Sequence, residues 1–437
     1  MKMNTRWTQY LFALQKAFQK RSRIEFLQPD GSVAFALDNR FKRGYNTRYD
    51  TRAFIQDGNL SVNLKNGQRR SASITLSNLD GAFDYAVNHL WFGQQIRLSM
   101  GLVLPDGTDF YLPQGVFYIT NPGNILDPNS RTASFELSDK WCYLDGTLFG
   151  TTDAALIISK DRYDDNIFKA ISKILKFSRF DLDVTETDAT RIIDAVNPVF
   201  TSFYNGKTYM ASNGITVPMT AFPYDVTIDS ESGTLADAIL EMNTFVAGLI
   251  GYDQTGALRI EPSQEALSDS EKPILWTFSP ENATFLGFSE SIKNTEIYND
   301  IIIIGEGAED GSVWGRASNF DPRSDTNINM IGRKTYKETN AEFWNPTQCE
   351  DIAKYLLKTK TVLQKSITIR SSQMFHLMEN RLVSVKRTDK KGSPIERHII
   401  QSISLPIGET GEMTVNATSV NDFPIISTTS SSGGASS

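Results

Sequence analysis

Apolar positions recur at steps of three and four near the start of the chain, then give way to short alternating runs. Trp7, Tyr10, Leu11, Leu14 and Phe18 share one face, with Arg6, Gln9, Lys16 and Gln19 elsewhere, which predicts an amphipathic helix over residues 6–20. A terminal apolar stripe must be covered, either by the chain's own next domain or by a neighbouring subunit. From residue 23 to about 145 the pattern is β, with strand-like runs at 23–27, 60–64, 73–76, 96–103, 116–119 and 132–137. Turn signals separate them (Pro29-Asp30-Gly31, Asn66-Gly67, Asp80-Gly81, Pro105-Asp106-Gly107), and many short punctuated strands predict a sandwich or barrel.

Residues 146–232 read as an inserted α+β unit. Asp165 is placed to cap a helix through about residue 177, with Phe168, Ile171, Ile174 and Leu175 on one side, before a stretch of weak strand signals. Regular structure resumes at Thr234, an N-cap with Asp237 three residues on, followed by the stripe Leu235, Ala238, Ile239, Met242, Val246, Leu249. A hairpin is expected at 249–252 and 257–261, and a strand at 297–305 whose four consecutive isoleucines imply burial on both faces. Residues 306–344 are polar and poor in aliphatics and read as a long loop or small insertion. Pro346 opens another helix, and strands at 366–370, 382–386, 397–403 and 413–417 close the block. The last residues, Ser427 to Ser437, contain only Ser, Thr, Gly and Ala and read as a flexible end. The expected domains are 1–22, 23–145, 146–232, 233–305 with 345–422, 306–344 as an excursion, and 423–437 as a tail.

Two stretches share a layout. Residues 96–100, a turn at Pro105-Asp106-Gly107, 116–119 and 132–137 match 381–385, a turn at Asp389-Lys390-Lys391-Gly392, 399–403 and 413–417. Either these are unrelated meanders or one barrel type occurs twice. In the second case three chains would present six similar units about an axis, a geometry suited to joining a six-fold tube to a three-fold object.

Composition narrows the function classes. The 437 residues are 40% hydrophobic and 22% charged, which is globular, and 44 Lys and Arg against 51 Asp and Glu give a net charge of −7. Gripping nucleic acid by its phosphates requires a basic balance, so that role is disfavoured. Two cysteines, Cys142 and Cys349, exclude a disulfide scaffold and read as buried small hydrophobes. No run reaches the roughly 18–20 apolar residues of a membrane helix. Met1 to Lys20 carries four charges, Lys2, Arg6, Lys16 and Lys20, so no export leader is expected.

Catalytic signatures are missing from the sequence: it contains no G-x-S-x-G, G-x-x-x-x-G-K-[ST], H-E-x-x-H or G-x-G-x-x-G. His89 near Asp84 and His376 near Glu379 are the His–acid neighbours, with no nucleophile beside either. Acid pairs occur at Asp164-Asp165, Asp181/Asp183, Glu309-Asp310 and Glu350-Asp351, but sequence spacing does not place two carboxylates across a groove. No cofactor or metal site is expected. Trp91, Trp276, Trp314 and Trp344 suit either sugar stacking or a protein interface.

Three segments carry a family resemblance: residues 73–81, Trp91-Phe92-Gly93-Gln94-Gln95-Ile96-Arg97-Leu98, and Tyr111-Leu112-Pro113-Gln114-Gly115-Val116-Phe117-Tyr118-Ile119. Together with the layout of 234–420, they resemble the first barrel and general plan of hub proteins at the tail tip or baseplate of long-tailed bacteriophages, relatives of the hub part of VgrG-like proteins. The resemblance implies an α+β, mostly β fold of two similar antiparallel β-barrel domains with helical and loop insertions, in a pseudo-six-fold homotrimer. It implies a virion protein at the distal end of the tail, assembled in the host cytoplasm. Its partners would be a tail tube or distal ring protein above, a tip, spike or fibre protein below, and a tape-measure protein. DNA would pass through without specific binding. No wall-degrading region follows the second barrel, so lytic activity is not expected. Candidate interface residues are Trp7, Tyr10, Leu11, Leu14 and Phe18 on the first helix, and Trp314, Arg316 and Arg323 in the 306–344 excursion. The alternatives are a tail-associated glycan hydrolase or glycan-binding protein, and a hexameric distal tail ring protein.

Overall fold

Alternation marks strands such as Arg70–Ser77 and the start of Gln95–Val103, where one face is buried, while Leu382–Val385 are buried in succession. A computed structural model describes residues 5–16, 18–28, 31–39, 55–79, 81, 83, 94–121, 129–151, 156–159, 166–177, 208–210, 216–218, 220–221, 225–228, 233–244, 248–262, 273–293, 297–305, 313–340, 343, 346–361, 364–408, 411–420 and 426–432. Helix α1 (Thr5–Leu14) leads into β1 (Lys20–Leu27), β2 (Val33–Asp38), β3 (Ile55–Asn63), β4 (Arg70–Ser77), β5 (Gln95–Val103), β6 (Asp109–Asn121) and β7 (Thr132–Asp139). Every second residue of β4 and of the first part of β5 is buried, and Phe26, Leu60, Ile74, Leu98, Phe117 and Phe135 meet in one core.

A smaller unit follows. It contains β8 (Leu156–Ile158), α2 (Ile167–Phe177), β9 (Thr208–Met210), β10 (Thr216–Pro218), β11 (Val226–Ile228), α3 (Leu235–Thr244) and the hairpin β12 (Leu249–Tyr252) with β13 (Leu258–Glu261). Ile171, Ile174, Ile239, Met242 and Ile260 form its core. The expected capping box opens α3: Asp237 N–H donates to the Thr234 hydroxyl at 3.2 Å, and Thr234 N–H donates to the Asp237 carboxylate at 2.9 Å.

The remainder comprises β14 (Ile274–Phe278), β15 (Phe285–Lys293), β16 (Asp300–Gly305), β17 (Val313–Asn319), α4 (Ile328–Ile331), β18 (Thr335–Asn340), α5 (Pro346–Lys360), β19 (Gln364–Ser371), β20 (Leu382–Lys386), β21 (Ile395–Pro406), β22 (Met413–Ser419) and β23 (Ile426–Ser432). The fold is α+β and mostly β, with thirteen strands in one sheet: β15-β19-β22-β21-β3-β4-β7-β6-β5-β1-β2, with β20 on β21 and β14 on β20. This sheet is two lobes of one design. The order β3-β4-β7-β6-β5 in the first repeats as β15-β19-β22-β21-β20 in the second, with every pair antiparallel. Two irregularities recur in both lobes, while a third, between Leu98 and Ser99 on β5, has no counterpart in the β20–β21 ladder. Register shifts fall between Ile55 and Asp57 on β3 and between Phe285 and Gly287 on β15. They recur between Ile119 and Asn121 on β6 and between Ile400 and Ser402 on β21. The lobes differ at the sixth strand, where β1 lies antiparallel to β5 but β14 parallel to β20. Among the described residues neither lobe closes on itself. They join edge to edge, with β3 against β21 from Asn63↔Ser402 to Asn59↔Pro406.

Three expectations need correction. The first helix ends at Leu14, and Phe18 lies beyond it, because Lys20 begins β1 opposite Leu102. The four isoleucines of β16 are not buried on both faces: Ile301 and Ile303 are fully buried while Ile302 and Ile304 are half-buried. The polar excursion carries β17, α4 and β18, and the Ser/Thr end carries β23, in the order β18-β16-β17-β23. Helix α5 packs on this sheet through Cys349, Ala353 and Leu357. It comes so close that a Cβ at Gly315 would lie 2.2 Å from the Glu350 nitrogen. Small residues at 315 and 317 hid a genuine inward face from any count of aliphatics.

Candidate assembly site

The first helix docks on its own chain, between the lobes. Tyr10 and Leu14 are fully buried, Leu11 and Phe18 pack partly against the main core, and Trp7 stays 38% exposed. Tyr10 stacks on Trp7 at 5.2 Å and meets the edge of His376 at 5.6 Å. Its hydroxyl accepts from Phe375 N–H at 3.0 Å and lies 3.0 Å from His376 Nδ1. Burial lowers the His376 pKa to about 4, so the ring is neutral at pH 7 and its tautomer sets which partner donates in the Tyr10–His376 bond. Tyr10→Phe leaves both partners unmatched, and a loss of about 1–3 kcal/mol is expected in urea unfolding. A loss below about 0.5 kcal/mol would refute that assignment.

A buried charge cluster clamps three parts of the chain together. Arg70, at the start of β4, donates to the Glu379 carboxylate at 2.7 Å and to the Gln114 carbonyl at 3.0 Å. Arg69 lies 3.8 Å from Glu379 and 3.9 Å from Glu261, and Arg381 holds Glu261 at 2.8 Å. Asp139, at the end of β7, accepts from the N–H groups of Arg69, Arg70 and Trp141. Burial opposes the charge on Glu379, but Arg70 and Arg69 prevail and hold its pKa below the carboxylate range. Burial lowers the Arg69 pKa and raises that of Asp139 to about 6. The first lobe, the β12–β13 hairpin and the second lobe thus share one set of ion pairs. Sequence reasoning missed them, although a signal existed: Arg70, Ala72, Ile74 and Leu76 alternate on one face, so Arg70 had to point inward.

Two of the second set of candidate residues lie on a strand, and the third, Arg323, lies in the turn that follows it. Trp314 and Arg316 sit on β17, opposite Ile304 and Ile302. Arg316 grips the buried Asp300 through two bonds of 2.8 Å, with Ser318, Thr335 and Arg333 on the same carboxylate. Burial opposes that charge, but these donors outweigh it and push the Asp300 pKa far below its usual value. Arg323 pairs with Asp321 beside α4, where Met330 is 69% exposed. The fold therefore places Tyr10 with its helix partners in one place and Trp314, Arg316 and Arg323 in another.

Among the described residues, the acids singled out for hydrolysis do not form a groove. Glu350 and Asp351 hold Lys354 at 2.8 and 3.3 Å, Glu379 is bound to Arg70 and not His376, and the other acid pairs and His89 lie outside the described residues. Among the described residues no group of three His, Cys, Asp or Glu could hold a metal ion, and no helix is long and apolar enough to cross a membrane. What the surface does offer is strand edges, most plainly β15, which among the described residues pairs with β19 on one side only.

No family model matches the sequence, and a search of curated proteins finds no match. Solved structures do match. The tail protein from Neisseria meningitidis MC58 superposes with a TM-score of 0.52 at 10% identity, covering 92% of this chain and 97% of that one. The chain has the fold of a tail protein. The 43 kDa tail protein of prophage MuSo2 from Shewanella oneidensis gives 0.50 at 9% identity, covering 91% and 98%. At such identity the tail-protein fold is shared without the side chains that would specify partners.

Proposed function

We propose that this chain is a structural component of a phage-type tail, the hub that closes the distal end of the tail tube as a homotrimer. The observation that carries the reading is the duplicated lobe, with the same strand order and the same two register shifts in both copies. Three chains then supply six equivalent units, which meet a six-fold tube or distal ring protein on one side and a three-fold tip, spike or fibre on the other. A tape-measure protein would end at the same place. Three chains of net charge −7 total −21, a sign that lets DNA pass a central channel without adhering. Glu261, Glu379, Asp300, Glu350 and Asp351 are engaged in ion pairs, which supports a structural over a hydrolytic role.

Native mass measurement of the purified chain tests this. Three copies are expected. Six copies would indicate a distal ring instead, and a chain that stays single at micromolar concentration rejects the hub.

A further inference from the structure

The sheet β18-β16-β17-β23 has one face under α5 and a second face of different chemistry. Ile301, Ile303, Val313 and Ala317 pack with the helix, so by alternation Ile302 and Ile304 on β16 and Trp314 and Arg316 on β17 point the other way. Register places these residues in rows across three strands: Thr335, Asp300 and Ser318, then Lys337, Ile302 and Arg316, then Thr339, Ile304 and Trp314. Lys337 and Thr339 are exposed, and Ile302, Ile304 and Trp314 are half-buried.

Charge on this face is unbalanced. Asp300 is fully buried, and its carboxylate accepts from Arg316 Nε and Nη2 at 2.8 Å, the Ser318 hydroxyl at 2.6 Å, the Thr335 hydroxyl at 2.7 Å and Arg333 Nη1 at 3.0 Å. A carboxylate has about four lone-pair sites, so this one is saturated. Among the described residues, Arg316 Nη1 and the Lys337 ammonium have no acceptor at all. The Arg316 and Arg333 side chains stay 33% and 43% exposed. Arg316, Arg333 and Lys337 thus share a single carboxylate, in a chain whose net charge is −7. The two bonds to Asp300 also fix the plane of the Arg316 guanidinium, so a ligand meets it without an ordering cost.

We infer that this face binds an anionic glycan, with a sugar lying on the Trp314 ring and Arg316, Arg333 and Lys337 donating to its carboxylate or phosphate. Trp314 and Arg316 are two residues apart on one strand, about 7 Å, so a sugar on the indole carries a charged group of its own or of the next sugar to the guanidinium. The apolar face of a sugar ring suits Trp314 and the neighbouring Ile304, and Thr339 offers a hydroxyl to its rim. A guanidinium matches carboxylate and phosphate alike through paired N–H bonds. Nucleic acid would use the same cations but needs a run of phosphate contacts and stacked bases. A chain of 51 acids against 44 bases, with one aromatic ring in these rows, supplies neither. The site is complete within one chain and does not depend on the hub reading.

Electrophoresis of the full chain through native gels containing polygalacturonate, a phosphomannan or neutral dextran tests the site. Retardation by one or both acidic polymers and none by dextran is expected, and the polymer that acts tells carboxylate from phosphate. Trp314→Ala should raise the apparent dissociation constant about tenfold, the loss of roughly one stacking contact. Lys337→Glu, at an exposed position, should weaken binding by a similar factor with the melting temperature unchanged, which separates lost binding from lost folding. Equal mobility in all three gels, equal retardation by dextran, or retardation that survives Lys337→Glu overturns the site. Tighter binding of a single-stranded oligothymidylate than of either acidic polymer overturns the glycan assignment. None of these results alters the copy number that tests the hub.

Discussion

Replacing Glu379 by Ala should destabilise the chain by about 3–5 kcal/mol, the cost of leaving a buried cation without its partner. Arg70 is 2% exposed, and without Glu379 its Nη2 group loses its 2.7 Å acceptor in a place water does not reach. Arg69 would keep Glu261 at 3.9 Å, so the deficit falls mainly on Arg70. The converse variant separates charge from packing. Arg70→Met combined with Glu379→Leu removes both charges and should cost far less than Glu379→Ala alone, because neither desolvation penalty remains. Urea unfolding of the two single variants and the double variant gives the coupling directly. Additive effects would show that Arg70 and Glu379 do not form a unit. Because the cluster joins both lobes and the β12–β13 hairpin, the Glu379→Ala transition should also broaden as the lobes uncouple.

Acid should weaken the fold well above the pKa range of ordinary carboxylates. His376 and His398 are both pushed down to about 4 by burial, against the ordinary 6.5 in the unfolded chain. The unfolded chain therefore takes up protons below pH 6.5 that the folded chain refuses until about pH 4, so stability is full above 6.5 and is lost as pH falls through that window. Each histidine contributes on the order of 3 kcal/mol to the loss. Asp139 runs the other way. Its pKa is raised to about 6 by burial, so the folded chain takes that proton first and recovers roughly the share of one histidine. The net expectation is a loss of roughly 3–4 kcal/mol between pH 6.5 and 4, read from urea midpoints. Replacing both histidines by Gln should abolish the slope or reverse it, and a wild-type midpoint unchanged from pH 7 to 4.5 would contradict the assignment. Protonating His376 also places a charge on a buried ring packed against Tyr10, so α1 should be the first element to lose amide protection.

How much of the fold was readable depended on how local its cause was. The β5, β6 and β7 strands, the capping box at Thr234, the β12–β13 hairpin and the Pro346 helix follow from alternation, turn residues and caps, which act within a few residues. The duplication was legible as a layout, because meanders with similar turns leave similar spacing. Its strand order and shared bulges were not, since bulges carry no residue signature here. Strand β2 and strand β23 were missed for a different reason. Backbone pairing on an available edge, as β23 makes with β17, asks little of side chains, so a run of Ser and Thr qualifies as readily as a run of Val.

For the candidate residues the division is similar. The stripe Tyr10, Leu11, Leu14 was visible at helical spacing, but whether it met a subunit or its own chain depended on residues more than 350 positions away, at Phe375 and His376. Arg316 read as a contact in a polar loop and proved to be the partner of the buried Asp300. By itself the sequence determined a mostly β chain with short strands, two similar layouts and no catalytic signature, because periodicity and motif spacing are local properties. Only the tertiary structure decided which charges are paired and that the two lobes share one sheet. Those outcomes depend on which distant strands meet, and hydrogen bonds between backbones carry no record of that choice in the residues that make them.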